Sequence, residues 1–143
     1  MLIPTCVIKF LELILAVACL TLHHYSYDLT DISTFMLCSG TYVGYVVVLS
    51  GEIVGEVVSA AADPYVDAWW SGTGGALFGA CGVMTLRSWY DVPACRRRTY
   101  AQITAICANA AAALLTIDSM LALCSAHKDG TSTRTKSHKP VKT

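Results

Sequence analysis

The sequence predicts an all-α membrane protein, an antiparallel bundle of four transmembrane helices with short connectors and a disordered C-terminal tail. Of its 143 residues, 55% are hydrophobic and only 14% are charged, and the mean hydropathy is +0.53. Soluble domains are far less apolar. The apolar residues form four runs, more than a chain of this length can bury in a water-soluble core. Helices are required because four spans cannot close a barrel and every backbone polar group in hydrocarbon needs an internal partner.

The first apolar segment covers residues 5–22, which is just long enough to cross a bilayer. A cleaved signal peptide is the alternative, since the small residues at 16–18 fit a cleavage site. However, Lys9 lies well inside the segment and Glu12 interrupts the apolar run, which favours a retained helix.

The other three segments cover residues 34–58, 68–86 and 101–123. The second is longer than a span needs, so its end is expected to tilt or to emerge at a membrane surface. Residues 1–124 therefore form one membrane domain. Residues 125–143 are rich in Lys, Thr, Ser and Gly and are expected to be disordered.

Composition and motifs exclude several classes of function. Ten Lys and Arg balance ten Asp and Glu, so nothing indicates a nucleic-acid partner. The chain has no Walker loop, no GxSxG and no HExxH, which predicts a protein that is not an enzyme and has no cofactor. No CxxC or Cys-His spacing predicts a metal site, and we interpret His23 and His24 as an interfacial polar pair.

Small residues repeat along one face of three predicted helices. On the second helix these are Gly40, Gly44, Gly51 and Gly55; on the third, Ser71, Gly75, Gly79 and Gly82; on the fourth, Ala101, Ala105, Ala108, Ala112, Thr116 and Ser119. Small residues let helices approach closely in lipid, where no hydrophobic effect drives their association. We expect these faces to pack within the bundle, and a homo-oligomer packed through them is the alternative.

Five ionisable residues lie inside the apolar segments: Lys9, Glu12, Glu52, Glu56 and Asp118. With alternating helix directions, all five fall in the same half of the bilayer. Each costs roughly 2.5–3.5 kcal/mol to insert, so they are expected to pair or to line water. We expect Lys9 to pair with Glu12, Glu52 or Glu56. Two interpretations stay open, an ion pair that locks the first two helices together and a path for protons or cations.

Of the seven cysteines, only Cys95 lies plainly in a connector; the others are expected to behave as small apolar residues. Cys95 precedes three arginines, and the sequence leaves open whether it is lipidated, disulfide-bonded or free. Basic residues flank the fourth segment on both sides in nearly equal number, so the positive-inside rule leaves the orientation open.

Short motifs extend these predictions by resemblance. The stretches IKFLEL at residues 8–13 and LTID at residues 115–118 resemble the ends of the bundle in MARVEL-like four-helix membrane proteins of the MAL, physin and occludin group. Within that group, GTYVGY at 40–45, Trp70 with the glycines at 74–75, and LRSW at 86–89 are similar to the Snakeskin-like proteins of insect smooth septate junctions.

The resemblance implies a plasma-membrane protein at lateral cell junctions, with both termini in the cytoplasm and other integral junction or trafficking proteins as partners. Its Lys-rich tail is a candidate site for partners or anionic lipid. Three functions remain as hypotheses: an organiser of cell–cell junctions or apical membrane assembly, a vesicle-trafficking protein, and a small transporter or channel subunit that uses the intramembrane carboxylates.

Overall fold

A computed structural model describes residues 2–26, 31–58, 60 and 63–136 of the chain. This part of the chain consists of four helices and contains no strand, which confirms the all-α prediction. The helices are α1 (Leu2–Ser26), α2 (Ile32–Val57), α3 (Pro64–Ser88) and α4 (Arg96–Lys136).

The start of α3 shows how local sequence sets a helix boundary. Pro64 occupies the first turn, where its missing N–H costs nothing. The Asp63 side chain accepts a hydrogen bond of 2.9 Å from the backbone N–H of Tyr65 and so caps the helix. Asp67, also in the first turn, adds a favourable negative charge at the positive end of the helix dipole.

The four helices form a ring in chain order. Helix α1 packs against α2 and α4, and α3 packs most closely against α4, whereas α2 and α3 contact each other least. The core is made of small residues and a few large ones from all four helices, namely Ala16, Cys19, Cys38, Tyr42, Tyr45, Leu49, Phe78, Cys81, Ala108, Ala111 and Leu115.

The helices extend beyond the predicted segments, most of all at the C-terminus. The prediction that residues 125–136 are disordered is wrong, because α4 continues to Lys136. A helix that is already nucleated gains one hydrogen bond for each residue added, so a packed span can propagate into a polar sequence. In this extension the Thr131 and Thr133 hydroxyls donate to the carbonyls of His127 and Asp129. The rest of the predicted tail, residues 137–143, lies outside the described residues.

Three of the helical stretches, Thr5–Ser26, Ile32–Val57 and Arg96–Arg134, are long and apolar enough to cross a membrane, by length and composition. Helix α3 is not among them. It carries five glycines together with polar residues such as Asp67, Ser71 and Thr85, and these lower its hydropathy.

Candidate functional site

The Lys9 side chain joins all four helices at one end of the bundle. It is only 1% exposed, and its ammonium group lies 2.9 Å from Glu52 Oε2 on α2, 2.8 Å from Asp67 Oδ1 on α3 and 2.6 Å from Asp118 Oδ2 on α4. Further along the bundle, Cys19 of α1 contacts Thr104, which precedes Asp118 on α4. In the same way, Cys38, which precedes Glu52 on α2, contacts Cys81 of α3, which follows Asp67. Together with the Lys9 contacts, these pairs show that neighbouring helices alternate in direction.

A serine connects two of these partners. Ser71 Oγ accepts a hydrogen bond of 3.2 Å from Lys9 Nζ and donates one of 2.8 Å to Asp118 Oδ2. Asp118 is 2% exposed and so depends on these two partners for the hydrogen bonds that water would otherwise supply. We call Lys9, Glu52, Asp67, Ser71 and Asp118 the lysine cluster.

The structure brings together three of the five predicted ionisable residues, Lys9, Glu52 and Asp118. Glu12 and Glu56 form no ion pair within the described part of the chain. Glu12 is 1% exposed, and neither of its carboxyl oxygens has a hydrogen-bond partner among the residues that the structure describes. Of the three partners expected for Lys9, Glu52 is the one that pairs with it. Residues three apart share a helix face, but here Lys9 reaches towards three other helices.

Two members of the cluster were not among the predicted site residues. Asp67 lies just outside the apolar segment expected for the third helix, so it was assigned to a connector. Ser71 was interpreted only as a small packing residue. The signal that finds both is their spacing, since residues four apart lie on one helix face and that face of α3 meets Lys9.

An open cavity of about 360 Å³ reaches the cluster from outside, between α2 and α3. Its walls include Glu52, Glu56 and Asp67, and Lys9 lies at its inner end. One oxygen of Glu56 is buried without a hydrogen-bond partner among the described residues. Glu52 Oε2 contacts Lys9 as an ion pair but without hydrogen-bond geometry. The cavity that leads to the lysine cluster is therefore acidic.

The predicted glycine faces behave differently on α3 and α2. On α3, a Cβ at Gly75 would lie 2.8 Å from Thr116 Oγ1, and one at Gly82 would lie 2.8 Å from the Asn109 amide, so both glycines face α4. Gly79 faces it more loosely, with Ala112 Cβ at 3.8 Å. Gly74, which was not predicted as a packing residue, lies closer still to Tyr45.

On α2 the prediction that the glycine face packs within the bundle is wrong. No atom of the described residues lies within 4 Å of a Cβ built at Gly40, Gly44 or Gly51, and Gly55 meets only the carbonyl oxygen of Ala60 among them, at 3.4 Å. The helix turns Cys38, Tyr42, Tyr45 and Leu49 towards the core instead. Large side chains fill the centre of this bundle, which leaves the glycine face of α2 on the outside.

The opposite end of the bundle holds a second polar contact. His23 is buried between the helices, and its Nε2 lies 3.2 Å from Ser39 Oγ. Its ring stacks on Phe35 and meets Tyr42 edge to face. The cysteines are all free, with Cys95 exposed. No group of three or more His, Cys, Asp or Glu in the described residues is arranged to hold a metal ion.

One comparison with known proteins identifies the family of the chain. Residues 5–124 match the family described as a domain of unknown function, DUF7775. The chain belongs to this family. The match contains every residue of the lysine cluster, and it ends before the polar extension of α4. Comparisons with curated proteins and with solved structures give no match.

Proposed function

We propose that this DUF7775 protein is a non-enzymatic integral protein of the plasma membrane that organises cell–cell junctions of the septate type. The proposal depends on how Lys9 is paired inside the bundle. One ammonium group contacts a carboxylate on each of the three other helices. Such a cluster clamps four helices into a fixed scaffold, which is what an organiser of other membrane proteins needs.

The outer surface of the bundle supports a membrane location. Many large apolar side chains point outwards, among them Phe10, Ile14, Val47, Val54, Ile106 and Met120. In water, an apolar surface of this extent favours association or aggregation. In lipid the same side chains are solvated, while Lys9, Glu12 and Asp118 are buried inside the bundle.

In this proposal α3 is the fourth crossing, although it is less apolar than the others. Its polar residues Asp67 and Ser71 are paired with Lys9 inside the bundle. Its glycines at 74, 75 and 82 are buried. Lipid therefore meets mainly its other faces, where Val66, Trp69 and Val83 are exposed. Both termini then lie on one side, which we assign to the cytoplasm.

Imaging in a polarised epithelium tests the proposal. The protein, tagged after residue 143, is expected at lateral cell contacts together with septate-junction markers, and its loss is expected to open the paracellular route to a fluorescent dextran. Even distribution over the cell surface, or an intracellular vesicle pattern with an intact barrier, would contradict junction organisation. The vesicle pattern would favour the trafficking hypothesis.

One observation favours a second candidate function, a small transporter or channel subunit. The acidic cavity connects the outside of the bundle with Lys9, and Glu12 is a buried carboxyl without a partner. In sealed vesicles containing the purified protein, this function predicts a proton or cation flux that Glu52→Gln or Asp118→Asn abolishes and Cys95→Ser leaves unchanged. No flux above that of empty vesicles would exclude it.

A further inference from the structure

A continuous groove runs along the outside of the bundle between α2 and α3. Two open cavities form it, one of about 330 Å³ beside Gly40 and Gly44 and the acidic one of about 360 Å³ beside Gly51 and Glu56. Both cavities are lined by Val48 and Trp70, so they join end to end. The groove exists because α2 and α3 contact each other least among the neighbouring helices of the ring.

The length of this α2–α3 groove matches a membrane crossing. Its lining extends along α2 from Met36 to Glu56. At 1.5 Å per residue, these twenty steps cover about 30 Å, which is close to the thickness of the hydrocarbon core of a bilayer, about 30 Å. A groove of this length can hold a whole transmembrane helix side by side with α2.

The wall of the groove is suited to a close approach between backbones. Gly40, Gly44 and Gly51 leave open space where a Cβ would lie. Beneath the groove, α2 and α3 are held together by a hydrogen bond of 2.9 Å from the Tyr45 hydroxyl to the backbone carbonyl of Trp70. Glycine faces of this kind bring helices together in lipid through backbone contact.

Charge distinguishes one end of the groove from the other. The acidic end is lined by Glu52, Glu56 and Asp67, and Lys9 is the one base among its lining residues. Lys9 is already engaged by three carboxylates. Glu52 Oε2 is already engaged by Lys9 in an ion pair. Glu56 forms no ion pair within the described residues, and one of its oxygens is buried there without a hydrogen-bond partner. A carboxylate in this state is stabilised by an added cation.

We propose that the α2–α3 groove binds a transmembrane helix of a second integral protein, and that this helix carries a Lys or Arg side chain at the depth of Glu52 and Glu56. The proposal rests on the proposed membrane function and names the class of partner. The glycine face supplies the close contact, and the acidic end selects a cationic residue at one depth.

Charge also argues against a second copy of this chain as the occupant. Copies in one membrane have the same orientation, so pairing through two α2 faces brings Glu56 against Glu56, and like charges in contact disfavour association. Arg87 and the arginines at 96–98 lie at the opposite end of the bundle, and Lys9 is buried. Lys128 of α4 lies ten residues beyond Asp118, which is about 15 Å along the helix from the cluster.

The test uses synthetic helices in phosphatidylcholine vesicles that contain the full-length protein. The probe is a labelled Leu/Ala peptide of transmembrane length with one Lys at the depth of Glu56. Matched peptides carry Met at that position or carry the Lys at the opposite end. Energy transfer from the labelled protein is expected to show at least tenfold tighter binding of the first peptide than of either control.

Variants of the protein separate the two parts of the groove. Glu56→Gln, which breaks no ion pair described here, is expected to reduce the preference for the Lys peptide to less than threefold. Gly44→Leu is expected to weaken all three peptides at least tenfold, because the leucine fills the groove. Ala113→Leu, at an exposed position on α4 away from the groove, is the control and is expected to change nothing. Thermal unfolding establishes that each variant is folded.

Equal binding of the Lys and Met peptides, or binding that Gly44→Leu does not affect, would overturn the proposal. Energy transfer between copies of the protein that Gly44→Leu abolishes would also overturn it, because the groove would then be a homodimer interface. The outcome is separate from that of the junction assay. Peptide selectivity without localisation at cell contacts rejects the proposed function and keeps the groove, and the reverse result rejects the groove alone.

Discussion

At the scale of single residues, Lys9 and Glu12 lie one turn apart on α1 and differ in whether their charged groups have partners. Both are 1% exposed. Lys9 has a carboxylate partner on each of three helices, whereas neither oxygen of Glu12 has a hydrogen-bond partner in the described part of the chain. A buried charge is tolerated when it is paired and is costly when it is not. The two residues are therefore expected to respond to substitution in opposite directions.

Lys9→Met is expected to lower the free energy of unfolding by about 3–5 kcal/mol or more, because removing one partner of a buried ion pair leaves uncompensated charge. In the lysine cluster the substitution leaves three carboxylates, those of Glu52, Asp67 and Asp118, without their shared cation. Denaturant titration in mixed micelles measures the change. Lys128→Met on the exposed extension of α4 is the control and should leave stability unchanged. A Lys9 variant as stable as this control would show that the cluster does not hold the bundle.

Glu12→Leu is expected to leave the free energy of unfolding unchanged or to raise it by about 1–3 kcal/mol. The reason is that an unpartnered buried polar group costs its full desolvation, and an apolar side chain of similar size avoids this cost. The same micelle titration checks it. A loss of stability similar to that of Lys9→Met would mean that the Glu12 carboxyl has a stabilising partner in the folded protein.

At the scale of helices, the glycines of α2 and α3 have the same sequence pattern and different surroundings. A Cβ at Gly74 would lie 2.5 Å from Tyr45 Cε1, and the Tyr45 ring is fixed by its hydrogen bond to Trp70. At Gly44 there is open space. Glycine is therefore required by packing at one position and not at the other.

Gly74→Ala is expected to destabilise the bundle by about 1–3 kcal/mol, the usual cost of forcing an extra methyl group into a packed core. Gly44→Ala is its matched control and should be neutral or slightly stabilising, since alanine favours a helix over glycine by about 1 kcal/mol. Thermal unfolding of both variants in the same detergent gives the comparison. A neutral Gly74→Ala would show that Tyr45 is not packed tightly against Gly74, and a Gly44→Ala variant destabilised as much as Gly74→Ala would show that the glycine face of α2 is packed.

Hydropathy, the cost of burying charge and helical periodicity each predict a different feature of the structure. Hydropathy responds to the length of an apolar run, so the number and order of the helices were predictable. Because burying a charged side chain costs free energy, Lys9, Glu52 and Asp118 were predicted to need partners, and the structure brings these three together. Periodicity defines a face of a helix but not its neighbour, which is why Gly40 and Gly44 were placed inside the bundle. Asp67 was missed because the apolar segment predicted from hydropathy starts at residue 68, whereas α3 begins at Pro64.

At the scale of the whole molecule, the helices differ in how firmly composition assigns them to a membrane. Helices α1, α2 and α4 contain stretches long and apolar enough to cross one. In the proposed four-crossing arrangement α3 depends on its neighbours, since Asp67 and Ser71 are paired with Lys9. If α3 crosses in this way, the bundle is expected to insert cooperatively, with Lys9 as the residue on which that cooperation depends.

The sidedness of the loops tests the four-crossing scaffold most directly. A bulky, membrane-impermeant maleimide is applied to sealed vesicles of known orientation, and two variants with single exposed cysteines are compared. One keeps native Cys95 in the α3–α4 loop and carries Cys124→Ser; the other carries Ala60→Cys in the α2–α3 loop together with Cys95→Ser and Cys124→Ser. The account predicts that these two positions label from opposite sides of the membrane, because α3 lies between them and crosses it. Labelling of both from the same side would contradict the account.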